Sequence, residues 1–181
     1  ILRRRLLELS RRDETLRAYQ REALGWLAFL RELGFGGCLA DDMGLGKTVI
    51  VLALLDARRI EREQQQQPPR PSLVVVPRSV LFNWQQEASR FAPHLRVLDF
   101  SGAGRTDRMH QIEESDLVLV TYGTLRRDAP ALADVEFDYV IPAEAQTIKN
   151  ATTAGAKAAR LLHGKHRLAL SGTPVENRLA D

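Results

Sequence analysis

Cysteine is nearly missing from this 181-residue chain, in which Cys38 stands alone. A lone thiol excludes an intrachain disulfide and fits a reducing compartment. Long apolar runs are missing too. Nothing approaches the roughly 20 residues that span a bilayer, so no membrane span is expected. No secretory leader is expected: residues 1–14 read as a basic leader carrying Arg3, Arg4, Arg5, Arg11 and Arg12, but no apolar stretch or cleavage site follows. There is no internal repeat. Neither sign of charge dominates, because 26 Lys and Arg against 23 Asp and Glu leave +3. That balance is compatible with nucleic acid and does not demonstrate it. An initiating Met is lacking at Ile1, and Asp181 falls within a helical pattern, so the chain is expected to be a piece of a longer protein. What remains is 44% hydrophobic and 27% charged, a composition of globular proteins, at a length that suits one domain with a full core.

Apolar residues recur at helical spacing through Leu16, Tyr19, Ala23, Leu27 and Leu30, with Asp13 or Thr15 as an N-terminal cap and Gly34 as a stop. Short apolar runs then follow at Gly37–Ala40, Leu73–Val76, Leu95–Phe100, Leu117–Val120, Phe137–Ile141 and Arg167–Leu170. Helical patterns lie between most of them, such as Val80, Leu81, Trp84, Ala88 and Phe91. Strands alternating with helices predict an α/β fold: a mainly parallel sheet with helices on both faces and ligands at the strands' carboxyl ends. The Gln- and Pro-rich stretch from Gln64 to Pro71 reads as a solvated connection.

At the first of those strand ends stands Asp41-Asp42-Met43-Gly44-Leu45-Gly46-Lys47-Thr48. It reads as a phosphate-binding loop. Gly44 and Gly46 let the backbone turn its N–H groups onto phosphate oxygens. Lys47 supplies a cation, Thr48 a hydroxyl able to coordinate Mg²⁺, and a helix from about Thr48 to Arg58 aims its dipole at the same anion. The strict G-x-x-x-x-G-K-[ST] pattern fails by one residue, at Asp41.

Other strand ends carry Pro77-Arg78-Ser79-Val80 with Asn83-Trp84, then Thr121-Tyr122-Gly123, then Glu144-Ala145-Gln146-Thr147-Ile148-Lys149-Asn150, then Ser171-Gly172-Thr173-Pro174-Val175-Glu176-Asn177. Each alone is a common turn or loop. Together, in this order, with Leu16-Arg17-Ala18-Tyr19-Gln20 and Gly25-Trp26-Leu27 upstream, they resemble the first ATPase lobe of superfamily 2 helicase-like proteins. The Asp-Asp-Met-Gly-Leu-Gly-Lys-Thr loop is similar to that of the SWI2/SNF2 branch.

That resemblance implies a RecA-like P-loop lobe over residues 15–181, with ATP and Mg²⁺ as ligands. It implies double-stranded DNA and a C-terminal ATPase lobe of the same parent as partners, and a cytoplasmic or nuclear setting in bacteria or eukaryotes respectively. Gln20 would contact the adenine edge, and Gly44, Gly46, Lys47 and Thr48 the phosphates and metal. Glu144 would orient the attacking water, and Gln146 would couple it to the partner lobe. Ser171 and Thr173 would link nucleotide state to DNA. Pro77, Arg78, Ser79, Asn83, Trp84, Thr121, Tyr122 and Lys149 would lie near a DNA backbone, where N–H groups, hydroxyls and cations hold phosphate without reading bases. Trp84 sits on an apolar helix face, which favours core packing. For Arg78 and Lys149, phosphate contact and plain solvation stand equal.

The chain departs from the family where an acidic residue should precede Glu144: it has Pro142-Ala143. Ala143 offers Mg²⁺ no side-chain oxygen, which weakens an ion that demands a near-ideal oxygen octahedron. Ala18 replaces the usual Pro. The reading is therefore the ATP-binding lobe of a DNA translocase or remodeller, nearly inactive when isolated with Ala143 and without the second lobe's arginines. A hydrolysis-deficient nucleotide- or DNA-binding scaffold is one alternative. An RNA helicase lobe of the same superfamily is the other.

Overall fold

The computed structural model describes residues 16–40, 46–143 and 154–172. The proposed leader, Asp13 and Thr15 lie outside them. A parallel six-stranded sheet runs through the molecule in the order β1-β6-β5-β2-β4-β3. The strands are β1 (Gly37–Ala40), β2 (Ser72–Val76), β3 (Val97–Asp99), β4 (Leu117–Thr121), β5 (Glu136–Pro142) and β6 (His163–Ser171). Helices α1 (Ala18–Glu32), α2 (Lys47–Gln64), α3 (Leu81–Phe91), α4 (Tyr122–Ala133) and α5 (Ala154–Leu161) connect and cover them. No described helix is long and apolar enough to cross a membrane.

Alternation along β2 explains the layers. Val74 and Val76 face a core with Leu27, Ile50, Leu52 and Trp84, beneath α1, α2 and α3. Leu73 and Val75 face the opposite core, with Leu125, Leu132, Phe137 and Leu162, beneath α4 and α5. All of β2 is buried, as a central parallel strand requires. Trp84 is buried in the first core, so it packs rather than reaching outward.

Several boundaries differ from the sequence expectation. Helix α1 is capped at Arg17, whose N–H donates to Gln20 Oε1 at 2.8 Å. It stops at Gly34 as expected. There φ is +72°, and the N–H groups of Gly34 and Phe35 return to Arg31 and Leu30. Helix α2 continues past Arg58 to Gln64, supported by Arg59 bridging Asp56 and Glu63 one turn to either side. The stretch from Gln64 to Pro69 is exposed, as a solvated connection should be. Strand β3 is shorter than the apolar run suggested. Strand β6 begins at His163, ahead of the run, because its polar first half pairs with β5.

One proline shapes the sheet's carboxyl edge. The β2–β5 ladder continues to Val75↔Pro142, and the Ala143 N–H donates to the Val75 carbonyl at 2.8 Å. Backbone groups alternate sides along a strand, so the amide that Pro142 lacks is the one that would face β6. The β5–β6 ladder accordingly ends at Val140↔Arg167.

Candidate nucleotide and nucleic-acid site

Strand ends gather the predicted residues along one edge. Lys47 opens α2, with Gly46 as its N-cap at φ +78°. Only glycine adopts that left-handed conformation without strain. A Cβ placed on Gly46 would lie 2.7 Å from Gln20 Nε2 and 3.9 Å from the Tyr19 hydroxyl. Gln20 is 6% exposed, with its oxygen held by Arg17. The fold therefore lays the start of α1 on the helical end of the phosphate loop, bringing together Gln20, Gly46 and Lys47, residues far apart in sequence. Thr48 follows in the first turn of α2, partly buried. Ser171 closes β6 beside Ala40, the last residue of β1. Gly44, Glu144, Gln146, Lys149 and Thr173 lie outside the described residues.

Ala143 marks the end of β5, 4% exposed. Its N–H is bound to Val75, and its carbonyl accepts the Tyr122 hydroxyl at 2.6 Å. Tyr122, expected near DNA, thus pins the strand end that leads into Glu144. Among the described residues no cluster of His, Cys, Asp or Glu could hold a metal ion. The Thr48 hydroxyl suits Mg²⁺, and Ala143 adds no side-chain oxygen to it. The described residues fit the ion only as a shared ligand of phosphates and water.

A second cleft, of about 250 Å³, opens along the same edge. Arg78, Phe82, Ser101, Thr121, Thr124 and Arg127 line it. Arg78 and Arg127 are exposed, and neither pairs with a carboxylate among the described residues. Ser79 is exposed beside Arg78, in a 3₁₀ turn formed by Arg78–Val80. Thr121 is partly committed: its Oγ1 accepts the Thr124 N–H at 3.2 Å and caps α4. Arg127 was not among the sequence candidates. The Arg126-Arg127 pair one turn beyond Thr121-Tyr122-Gly123 was the available signal. Two cations and several hydroxyls around a shallow cleft suit a phosphodiester backbone.

Comparison with known proteins places this geometry among relatives. The model of the SNF2-related domain matches residues 19–181. YwqA of Bacillus subtilis, provisionally named an ATP-dependent helicase/translocase, is 46% identical over 171 residues, covering 92% of this chain and 18% of that protein. The TATA-binding protein-associated factor MOT1 of Saccharomyces cerevisiae is 34% identical over 177 residues, covering 92% of this chain and 9% of that protein. Among solved structures, the Sulfolobus solfataricus SWI2/SNF2 ATPase core in complex with dsDNA superposes with a TM-score of 0.82 at 45% identity. The match covers 92% of this chain and 34% of that one. The chain thus spans less than a fifth of these curated relatives and about a third of the solved core.

Proposed function

Because the chain belongs to the SNF2-related family, we propose that it is the ATP-binding lobe of a double-stranded DNA translocase or remodeller. The observation that carries this reading is the packing of Gln20 against Gly46, beside Lys47, on the edge that also bears the Arg78–Arg127 cleft. A base-reading amide, a phosphate cation and a backbone-binding cleft then share one edge of the sheet. Membership of this family sets aside the RNA-helicase reading.

In this reading Gln20 receives the adenine edge through its amide. Gly44, Gly46 and Lys47 hold the phosphates, with α2 adding its positive dipole end. Thr48 would hold Mg²⁺ through its hydroxyl, and that ion, when bound, would supply charge neutralisation for the phosphates. Glu144 orients the attacking water, and Gln146 relays its state to a C-terminal lobe of the parent. Ser171 and Thr173 couple the phosphate end to DNA. Arg78, Ser79, Thr121, Lys149 and Arg127 grip one backbone, while Tyr122 holds the β5 end in place. Arginines from a second lobe would supply roughly 10³–10⁵ in rate, as in related phosphoryl-transfer systems.

The test is phosphate release by the full-length parent, with and without linear duplex DNA. Turnover should rise with duplex and vanish in Lys47→Ala. A second reading, the hydrolysis-deficient scaffold, is favoured by Ala143 alone. ATP and duplex binding without turnover in the intact parent would establish that reading and defeat the first.

A further inference from the structure

Helix α3 carries its apolar residues in two directions. Leu81, Trp84, Ala88 and Phe91 recur at helical spacing and pack into the first core. Phe82 does not follow them. It lies two residues from Trp84, about 200° around the helix, and is 73% exposed. The fold therefore has no use for this ring. Phe82 instead lines the cleft at the strand ends, together with Arg78 and Arg127.

A single exposed apolar side chain is ordinary on a protein surface. This one stands in a cationic cleft with fixed walls. Gln85, one turn beyond Phe82, donates its amide to the Asp99 carboxylate at 2.8 Å and ties α3 to the end of β3. Arg105 donates to the Gly102 carbonyl at 2.8 Å and pairs with Asp128 of α4. Asp99 and Asp128 are thus engaged by other side chains. Arg78 and Arg127 have no ion pair among the described residues. The cleft's cations call for an anion, and its ring calls for apolar surface. A nucleic-acid strand offers both, because its phosphates alternate with sugars whose C–H faces are apolar. In a duplex the bases stay stacked and paired, so the sugars are the apolar surface that the backbone presents to a shallow cleft.

We propose that Phe82 packs on a deoxyribose of the strand whose phosphates Arg78 and Arg127 hold, so that the cleft binds a sugar–phosphate unit and not phosphate alone. The inference rests on the reading of this cleft as a backbone site and adds its apolar half. Every nucleotide presents the same sugar face, so the contact is independent of base sequence. Apolar burial releases no counterions, so the contact is also independent of salt, which separates it from the arginine contacts.

The test is binding of a linear duplex by the full-length parent, without nucleotide, at several salt concentrations. Phe82→Ala should weaken binding about three- to tenfold, as expected for half-burying one aromatic ring, and by the same factor at every salt concentration. Its salt slope should match the parent's, whereas Arg78→Ala reduces the slope by about one. Phe82→Leu should recover most of the loss and Phe82→Gln none of it. Melting temperatures should hold in all three variants, because the ring lies outside both cores. A single strand of the same length separates sugar from base. Stacking on an unpaired base would make the Phe82→Ala loss larger on the single strand than on the duplex, and would overturn the proposal. A changed salt slope in Phe82→Ala would overturn it as well. So would an unchanged duplex affinity in Phe82→Ala beside a weakened Arg78→Ala, an outcome that leaves the backbone reading standing. If both variants bind the duplex as the parent does, the cleft is no backbone site and the proposal falls with that reading.

Discussion

Replacing Gly46 by Ala should damage the chain through two separable effects. The residue sits at φ +78°, where a Cβ costs an L-residue about 1–2 kcal/mol. The new Cβ would also stand 2.7 Å from Gln20 Nε2, well inside ordinary contact. Gln20 is buried and cannot swing into solvent, so its amide must shift and loosen its bond from the Arg17 N–H. Losing that bond costs about 0.5–1.5 kcal/mol, giving together about 1.5–3.5 kcal/mol. Truncating Gln20 to Ala removes the collision and leaves the backbone strain. The double variant should therefore be about 1 kcal/mol more stable than the summed single variants imply. Urea denaturation of the four proteins measures this directly. Additivity within about 0.3 kcal/mol would refute the placement of Gln20 on the loop. An Ala variant as stable as the parent would refute the left-handed conformation itself.

Ala143→Asp places a carboxylate at a buried position at the end of β5, on the edge of the sheet that also bears Thr48. The ligand-free chain should lose stability, while Mg²⁺-dependent ATP binding tightens. Equal affinities for the two chains, measured with and without Mg²⁺, would show that position 143 is no lesion. Duplex binding by the full-length parent should fall with salt at roughly −0.9 per phosphate neutralised, and Arg78→Ala or Arg127→Ala should each reduce that slope by about one. A salt-independent affinity would exclude the cleft as a backbone site. His166 stacks on Tyr139 at 4.9 Å between ring centroids, and burial, aided by Arg58, Lys165 and Arg31, pushes its pKa down to about 4. The folded chain thus takes the proton less readily than the unfolded chain. The contribution of His166 is complete above about pH 6.5 and is lost as the pH falls toward 4. Melting temperatures across that window should flatten in His166→Gln. Trp84→Ala should cost about 3–5 kcal/mol with little change in the salt slope, as core loss requires.

Fully buried strands were the most legible part of the sequence. β2 and β4 are continuous apolar runs because both faces are covered, and their limits were read to within one residue. β6 was read short because its first half alternates between partly covered and exposed positions, so His163 and Lys165 mask a ladder that backbone pairing alone sustains. The last turns of α2 were hidden for a related reason: ion pairs, not an apolar stripe, carry the helix there. Asp138 lay inside an apolar run, and nothing local announced that two arginines from α2, Arg58 and Arg62, would meet it. The turn into α2 was legible from local chemistry, with Gly46 left-handed and Lys47 opening the helix. The contact of Gln20 with Gly46 was not, since it joins segments on either side of β1.

Pro142 divides the sheet in a way that the strand order hides. β1 and β6 form one leaf, which carries the Lys47 loop and Ser171, while β5, β2, β4 and β3 form another, which carries Ala143 and the Arg78–Arg127 cleft. The missing rung falls on the seam between these leaves, at their ligand-bearing end. Elsewhere the leaves are stitched by the β5–β6 ladder, which ends at Val140↔Arg167, short of this tip. The half proposed to hold nucleotide and the half proposed to hold nucleic acid can therefore part slightly at the seam without breaking a ladder bond, which gives the sheet a line of compliance where the two ligands would face one another.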